Sequence, residues 1–343
     1  MKPTKNKRPK NSKRLNKTKK TFRKKGKTFK KKGKTYKKKG KTFKGGDPPM
    51  MLLGWIDEDR LISFYLGYNS NAEAINLLRE RLDSGLITEY VNWQALSSNR
   101  TAEAIALLKK YPAKIDWDEL SKNPSAEAIA LLKENPDKIK WNYLSFNPSA
   151  EAIQMLKVHP DRIVLGGLET NPTAEAIQML KENPNRIDWP LLSSNPNAEA
   201  IQMLKENPNR INWQRLSRNP SAIALLTANQ DRINWQRLSF NKNAIALLTA
   251  NQDRIDWDNL SLNPNAIDLL TANQDRINWR NLSRNPNAIE LLTANQDKID
   301  WHALSTNTNA MNLLSNNIDR IDWYYLTVNP GIFAVMAKGA VST

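Results

Sequence analysis

The chain of 343 residues contains no cysteine and only two histidines, His159 and His302. Without cysteine there can be no disulfide framework, thiol nucleophile, zinc–thiolate site or cysteine-ligated cluster, and a cytosolic or nuclear setting fits better than a secreted one. The two histidines lie far apart and inside repeat units, so neither a metal site nor a catalytic dyad is expected. No apolar run approaches the roughly 20 residues of a membrane span. The apolar stretch PPMMLLGWI at 48–56 is short and reads as the start of the folded part. The basic N-terminus leads into no hydrophobic segment and does not read as a secretory signal. No nucleophile–base spacing stands out. The GKT triplets near the N-terminus lack the upstream glycine and strand–helix setting of a phosphate loop. Catalysis, metal and cofactors are therefore not expected.

Acidic residues are missing altogether from 1–46, which hold 23 Lys or Arg; the remainder has 29 basic against 34 acidic residues, a net of −5. The whole-chain charge of +18 thus describes a cationic arm on a slightly acidic body. The arm has its own seven-residue repeat: TFRKKGK, TFKKKGK, TYKKKGK and TFKGG, with Phe22, Phe29, Tyr36 and Phe43 each following a Thr. One apolar residue per seven, a glycine in each full unit and uniform positive charge rule against a coiled coil and predict disorder. Lys24, Lys25, Lys27, Lys30, Lys31, Lys32, Lys34, Lys37, Lys38, Lys39 and Lys41 are placed to neutralise phosphates or an acidic protein surface. The interleaved aromatics suit stacking on unpaired bases. The tract at 7–10 also permits a nuclear-import reading.

The body is organised by tryptophan. Trp93, Trp117 and Trp141 are 24 apart, Leu165 takes the next slot, and Trp189 and Trp213 keep the spacing; Trp235, Trp257, Trp279, Trp301 and Trp323 follow at steps of 22. Ser63 occupies an earlier slot, giving twelve units. With the slot numbered 0, Leu stands at +3 and Asn at +6 in every unit. Each unit reads as two short helices: one through the Trp and the +3 Leu, capped by an Asp such as Asp231, and one presenting Ala-Ile-x-Leu-Leu. The +6 Asn is expected to cap the second helix with Pro at its first turn. A second Asn such as Asn251 is expected to end it in a left-handed conformation.

Such helices are too short to stand alone and must bury their stripes against neighbouring units. The fold class is therefore all-α: a solenoid of about twelve two-helix repeats, with a 3-10 element admissible in each, behind the basic arm. At about 10 Å per layer it would form a rod or arc of roughly 100 Å. The organisation is an arm at 1–46, an N-terminal cap with a divergent repeat at 47–92, five longer repeats at 93–212, five shorter ones at 213–322, and a C-terminal cap at 323–343. The Leu165 unit, with Gly166 and Gly167, reads as a weak point or hinge. The Trp ladder reads as core, and the +6 Asn ladder as capping. Binding falls to the variable positions +1, +2 and +5. Phe146, Arg218, Phe240 and Arg284 are the candidate protein contacts, with basic stripes around Arg215, Arg237 and Arg280.

The pattern INWxxLSxNPNAIxLLxxNxD resembles the Asn-rich tandem repeats of large double-stranded DNA viruses of amoebae and algae, over about residues 57–338. The LSxNP step is also loosely similar to the leucine-rich variant repeat, which alternates α and 3-10 helices; the Trp is foreign to that pattern. The viral resemblance implies a minor capsid or internal virion component, located in the virion or in host cytoplasm or nucleus. It would be a non-catalytic scaffold with a protein partner, its arm contacting nucleic acid or acidic protein. The alternative is a nucleic-acid-binding adaptor whose solenoid recruits a protein.

Overall fold

A computed structural model describes residues 50–85 and 91–335. The arm, with all its candidate lysines and aromatics, lies outside the described residues. No described helix is long and apolar enough to cross a membrane.

The twelve units are present, and each is built on a short Trp-slot helix. In a longer unit the order is Trp117–Lys122, then Ala126–Glu134, then a 3-10 turn at Pro136–Lys138. In a shorter unit it is Trp235–Ser239, Ile245–Thr249 and the 3-10 turn Gln252–Arg254. The two residues lost between the unit types come from the start of the second helix, and the Trp helix keeps its register.

Several local assignments differ from the sequence expectation. The Trp helix is capped by the Asn or Asp immediately before the Trp, except at Trp141, where Lys140 makes no side-chain cap bond. Asn234 Oδ1 accepts the Arg237 N–H at 2.9 Å, and Asp116 Oδ1 accepts that of Glu119 at 3.0 Å. Asp231, expected in that role, is an exposed member of a 3-10 turn. The second helix of a longer unit is capped at +8, as where Ser125 Oγ accepts the Ala128 N–H. In shorter units an alanine such as Ala244 holds that place without a side-chain bond. The +6 Asn caps neither, and the Pro after it lies in the turn ahead of the helix. The Asn closing the second helix is not left-handed: Asn251 has φ −136°, and no described non-glycine residue has positive φ. In most longer units the proline after this Asn opens the 3-10 turn, as Pro136 does, where its missing N–H costs nothing.

The +3 leucines are fully buried in all twelve units. With the apolar residue at −2 and the Ala and Leu of the second helix, they form one continuous core. The tryptophans pack against that core, most of them half-buried. Their outer faces are covered from the next 3-10 turn: Arg254 lies 5.0 Å from the Trp235 ring centre, Arg276 4.9 Å from Trp257 and Arg320 4.8 Å from Trp301.

The +6 Asn joins neighbouring units. The Asn123 amide donates to the carbonyls of Ser97 at 3.0 Å and Asn99 at 2.9 Å in the preceding unit. Its Oδ1 accepts the Ser125 N–H at 3.1 Å, closing an Asx turn. A second rung comes from the Ser at +4. Ser97 Oγ donates to the Trp93 carbonyl at 2.8 Å and accepts the Asp116 N–H of the next unit at 3.0 Å. These buried groups all find partners across the unit boundary.

The same rungs connect the last unit to the first. The Asn69 amide donates to the carbonyls of Thr327 at 2.9 Å and Asn329 at 3.1 Å. The Ile62 N–H donates to Thr327 Oγ1 at 3.1 Å. Arg60 covers Trp323 at 4.2 Å, as the later arginines cover theirs. Strands β1 (Met50–Leu52) and β2 (Phe333–Val335) pair antiparallel across the joint, and the Leu53 N–H bonds the Ile332 carbonyl at 2.9 Å. The solenoid is therefore a closed ring, and the expected open rod or arc is corrected. The two ends contact each other because every boundary adds a rotation of the same sense. Twelve boundaries complete the circle at about 30° each on average.

Candidate partner-binding face

The hydrogen bonds that bring a side chain of one unit onto the backbone of its neighbour come from the Trp helix and the turn after it; the 3-10 turns of successive units share none among the described residues. The Trp helices are the closely spaced layer, and a closed ring has its closest spacing on the inside. At about 8–10 Å between neighbouring helices, twelve axes make a circle about 30–40 Å across.

Within each Trp helix, 0, +3 and +4 pack on the core and on adjacent units. Positions +1, +2 and +5 fall on the opposite side and form the inner wall, except where a small +2 residue (Ala95, Gly167, Ala303) is buried against its neighbours. The wall carries six basic residues (Lys122, Arg215, Arg218, Arg237, Arg280, Arg284) and three acidic ones (Asp118, Glu119, Asp258). It is positive on a body that is negative overall.

Half of these basic residues fall in one sector. Arg215, Arg218 and Arg237, from two adjacent units, line a single cavity of about 520 Å³ with Ser194, Gln214, Asn219 and Pro220. Among the described residues none of these three arginines has a carboxylate within 4.0 Å. Arg218 rests on the Phe240 ring, 4.8 Å from its centre. Lys122 is paired with Glu119 at 2.6 Å, and Arg280 with Asp300 at 3.7 Å.

Of the four sequence candidates, the structure brings Arg218 and Phe240 together. Phe146, 44 % exposed, and the exposed Arg284 lie on the same wall in other units. A second feature is aromatic and sits at the ring joint. The Tyr65 and Tyr324 rings pack at a tilt with centres 4.0 Å apart, Tyr325 meets Tyr324 edge-on at 4.9 Å, and His302 meets Tyr325 edge-on at 4.1 Å. The Tyr324 hydroxyl beside it, together with burial, pushes the Tyr65 phenol up to about 12. Sequence reasoning missed this cluster. Its signal was that the first and last units alone carry aromatics at both +1 and +2.

Glu169 occupies the +4 position of the Leu165 unit, where nine of the twelve units have serine. Its Oε1 takes over the serine rung by accepting the Asp188 N–H at 2.9 Å, while Oε2 is buried without a partner. Burial pushes the carboxyl above its ordinary range, opposed by backbone hydrogen bonds. Gly167 in the same helix is a close approach and not a hinge. A Cβ there would stand 2.5 Å from the Cβ of Ser145.

Comparison with protein-family models, with curated proteins and with solved structures gives no match to this chain.

Proposed function

We propose that the protein is a non-catalytic ring scaffold that engages a partner through its inner wall, while the basic arm contacts polyanions. The observation that carries this reading is the division of labour among repeat positions. The recurring residues at −2, 0, +3, +4 and +6 are used in core packing, in the rungs and in joining the ends. The side chains that vary from unit to unit are collected on one wall, with a cationic sector free of carboxylates and an aromatic one at the joint. A surface that is regular in backbone and irregular in chemistry suits recognition of one partner in one orientation. Under the viral resemblance such a ring would be a virion component, holding a partner while the arm reaches nucleic acid or acidic protein.

The test is a salt-dependent titration of a single-stranded oligonucleotide against the full chain and against a chain starting at Asp47. The scaffold reading expects the full chain to bind with an affinity that falls steeply with salt, and the shortened chain to bind far more weakly. Equal binding by both would make the ring itself a nucleic-acid clamp and favour the adaptor alternative.

A further inference from the structure

We infer that the cavity between the seventh and eighth units is a site for a compact phosphate-bearing ligand, of the size of a pyrophosphate or a nucleoside diphosphate. The inference rests on reading the inner wall as a binding surface, and it names the chemistry of one sector.

Three arginines, Arg215, Arg218 and Arg237, line one cavity of about 520 Å³. Like charges brought together raise the energy of the empty site, and a bound anion relieves it. No carboxylate among the described residues does so within 4.0 Å. Elsewhere on the wall Lys122 and Arg280 have acidic partners, and Arg284 stands in a unit of its own beyond Asp258. The Phe240 ring supports the Arg218 guanidinium at 4.8 Å, which leaves the edge of that planar group available for oxyanion oxygens. Ser194 and Gln214 add a hydroxyl and an amide to the lining. Arginine forks match phosphate oxygens in a bidentate manner that a simple halide cannot exploit.

The extent of the patch argues for a compact ligand and against a long strand. On one side the neighbouring wall positions are Pro190, Leu191 and Ser194, which bear no charge; on the other the next unit presents Asp258. A polynucleotide following the wall would leave the positive sector within one unit in either direction. The cavity volume falls inside the roughly 300–1,000 Å³ usual for small-ligand sites.

The site can be read in the full chain by arginine footprinting with phenylglyoxal, each arginine's modification rate being measured by mass spectrometry. Inorganic pyrophosphate and a nucleoside diphosphate serve as separate probes, and a single-stranded oligonucleotide as a third. The expectation is that pyrophosphate or the diphosphate slows modification of Arg215, Arg218 and Arg237 by about 5-fold or more. Arg210, Arg232 and Arg254, which lie over tryptophans, should be unaffected. Arg8, Arg14 and Arg23 report separately on the arm. Protection by the nucleoside diphosphate alone identifies a nucleotide source, and equal protection by both identifies the phosphate group as the whole determinant. Unchanged rates at the three arginines, or equal slowing at every arginine, overturns the proposal. So does protection by the oligonucleotide alone, which would mean a strand lies along the wall. A second variant set guards against misfolding: Arg218→Gln with Arg237→Gln should abolish protection of Arg215 while leaving the thermal midpoint unchanged. Unaltered Arg215 protection in that variant also refutes the site. Absent protection, combined with arm-only binding in the oligonucleotide titration, removes the phosphate site and leaves the scaffold reading standing.

Discussion

Asn69, near the start of the folded part, donates its side-chain amide to the carbonyl of Asn329 at 3.1 Å, as Asn123 does to Asn99 at 2.9 Å. The first bond spans 260 residues of chain and the second spans 24, yet they are the same rung. The ring's joint is thus bonded like its other boundaries, with the β1–β2 pair added. No unit is left with an unpartnered core face, the problem that open solenoids solve with dedicated end caps.

Joining of the ends can be tested with a disulfide, since the native chain has no cysteine to interfere. Met51 and Ala334 are direct partners in the β1–β2 pair. The double substitution Met51→Cys, Ala334→Cys should oxidise to an intramolecular bond and stabilise the fold by about 3 kcal/mol. Non-reducing electrophoresis and the thermal midpoint read the two effects. Failure of the bond to form under mild oxidant would mean that the ends stand apart in solution.

Removing one rung should cost far more than removing the exposed side chain beside it. Asn241 donates to the Ser217 and Asn219 carbonyls and accepts the Asn243 N–H. Asn241→Ala leaves these groups short of partners in a buried place, a loss of about 3 kcal/mol. The exposed neighbour change Lys242→Ala should stay within about 0.5 kcal/mol. Denaturant unfolding of the two variants beside the native chain decides the matter.

The two glycines of the Leu165 unit should respond in opposite directions. A methyl at Gly167 meets Ser145 at 2.5 Å and forces the neighbouring units apart, so Gly167→Ala should destabilise by about 2 kcal/mol. At Gly166 the nearest atom is 3.9 Å away, and Gly166→Ala should be neutral or stabilising by up to about 1 kcal/mol through helix propensity. A hinge would instead tolerate alanine equally at both positions.

Glu169 should make stability depend on pH with a definite sign. Its carboxyl is raised in the folded ring, so the folded state holds the proton more tightly than the unfolded chain. The stabilising contribution is full below the ordinary glutamate value of 4.5 and is lost as pH rises through the folded value. The difference in midpoint between Glu169→Gln and the native chain should therefore widen from acid toward neutral pH, with the variant more stable. Glu169→Ser, which restores the common rung, should remove the pH-dependent part as well. A difference that stays constant across this range would place the carboxylate in water.

Much of the architecture is legible from residue spacing. The twelve units, the Trp and Leu ladders, and the loss of two residues from the second helix in the later units all follow from short-range periodicity. Burial of Leu66 through Leu326 bears this out. Capping was less legible, because several Asn and Asp per unit compete for the same local roles. Asn241 shows why. Its Oδ1 makes a local turn bond that resembles a cap, while its amide reaches back 24 and 22 residues to two carbonyls. The candidate wall was visible as the set of variable positions, and Arg218 with Phe240 as members of it. That Arg215 and Arg237 share a cavity with Arg218 required the rotation between adjacent units.

The sequence by itself determined the repeating unit, its buried leucine ladder and the division between a cationic arm and an acidic body. These depend on composition and on helical and turn geometry within about two dozen residues. Only the tertiary structure decided that the units close on themselves. Curvature is a sum of small rotations set by how each helix pair packs on the next, and no single residue encodes the total. Twelve such rotations bring Asn69 within hydrogen-bonding distance of Asn329, and this turns what reads as a rod with two ends into a ring with an inner wall.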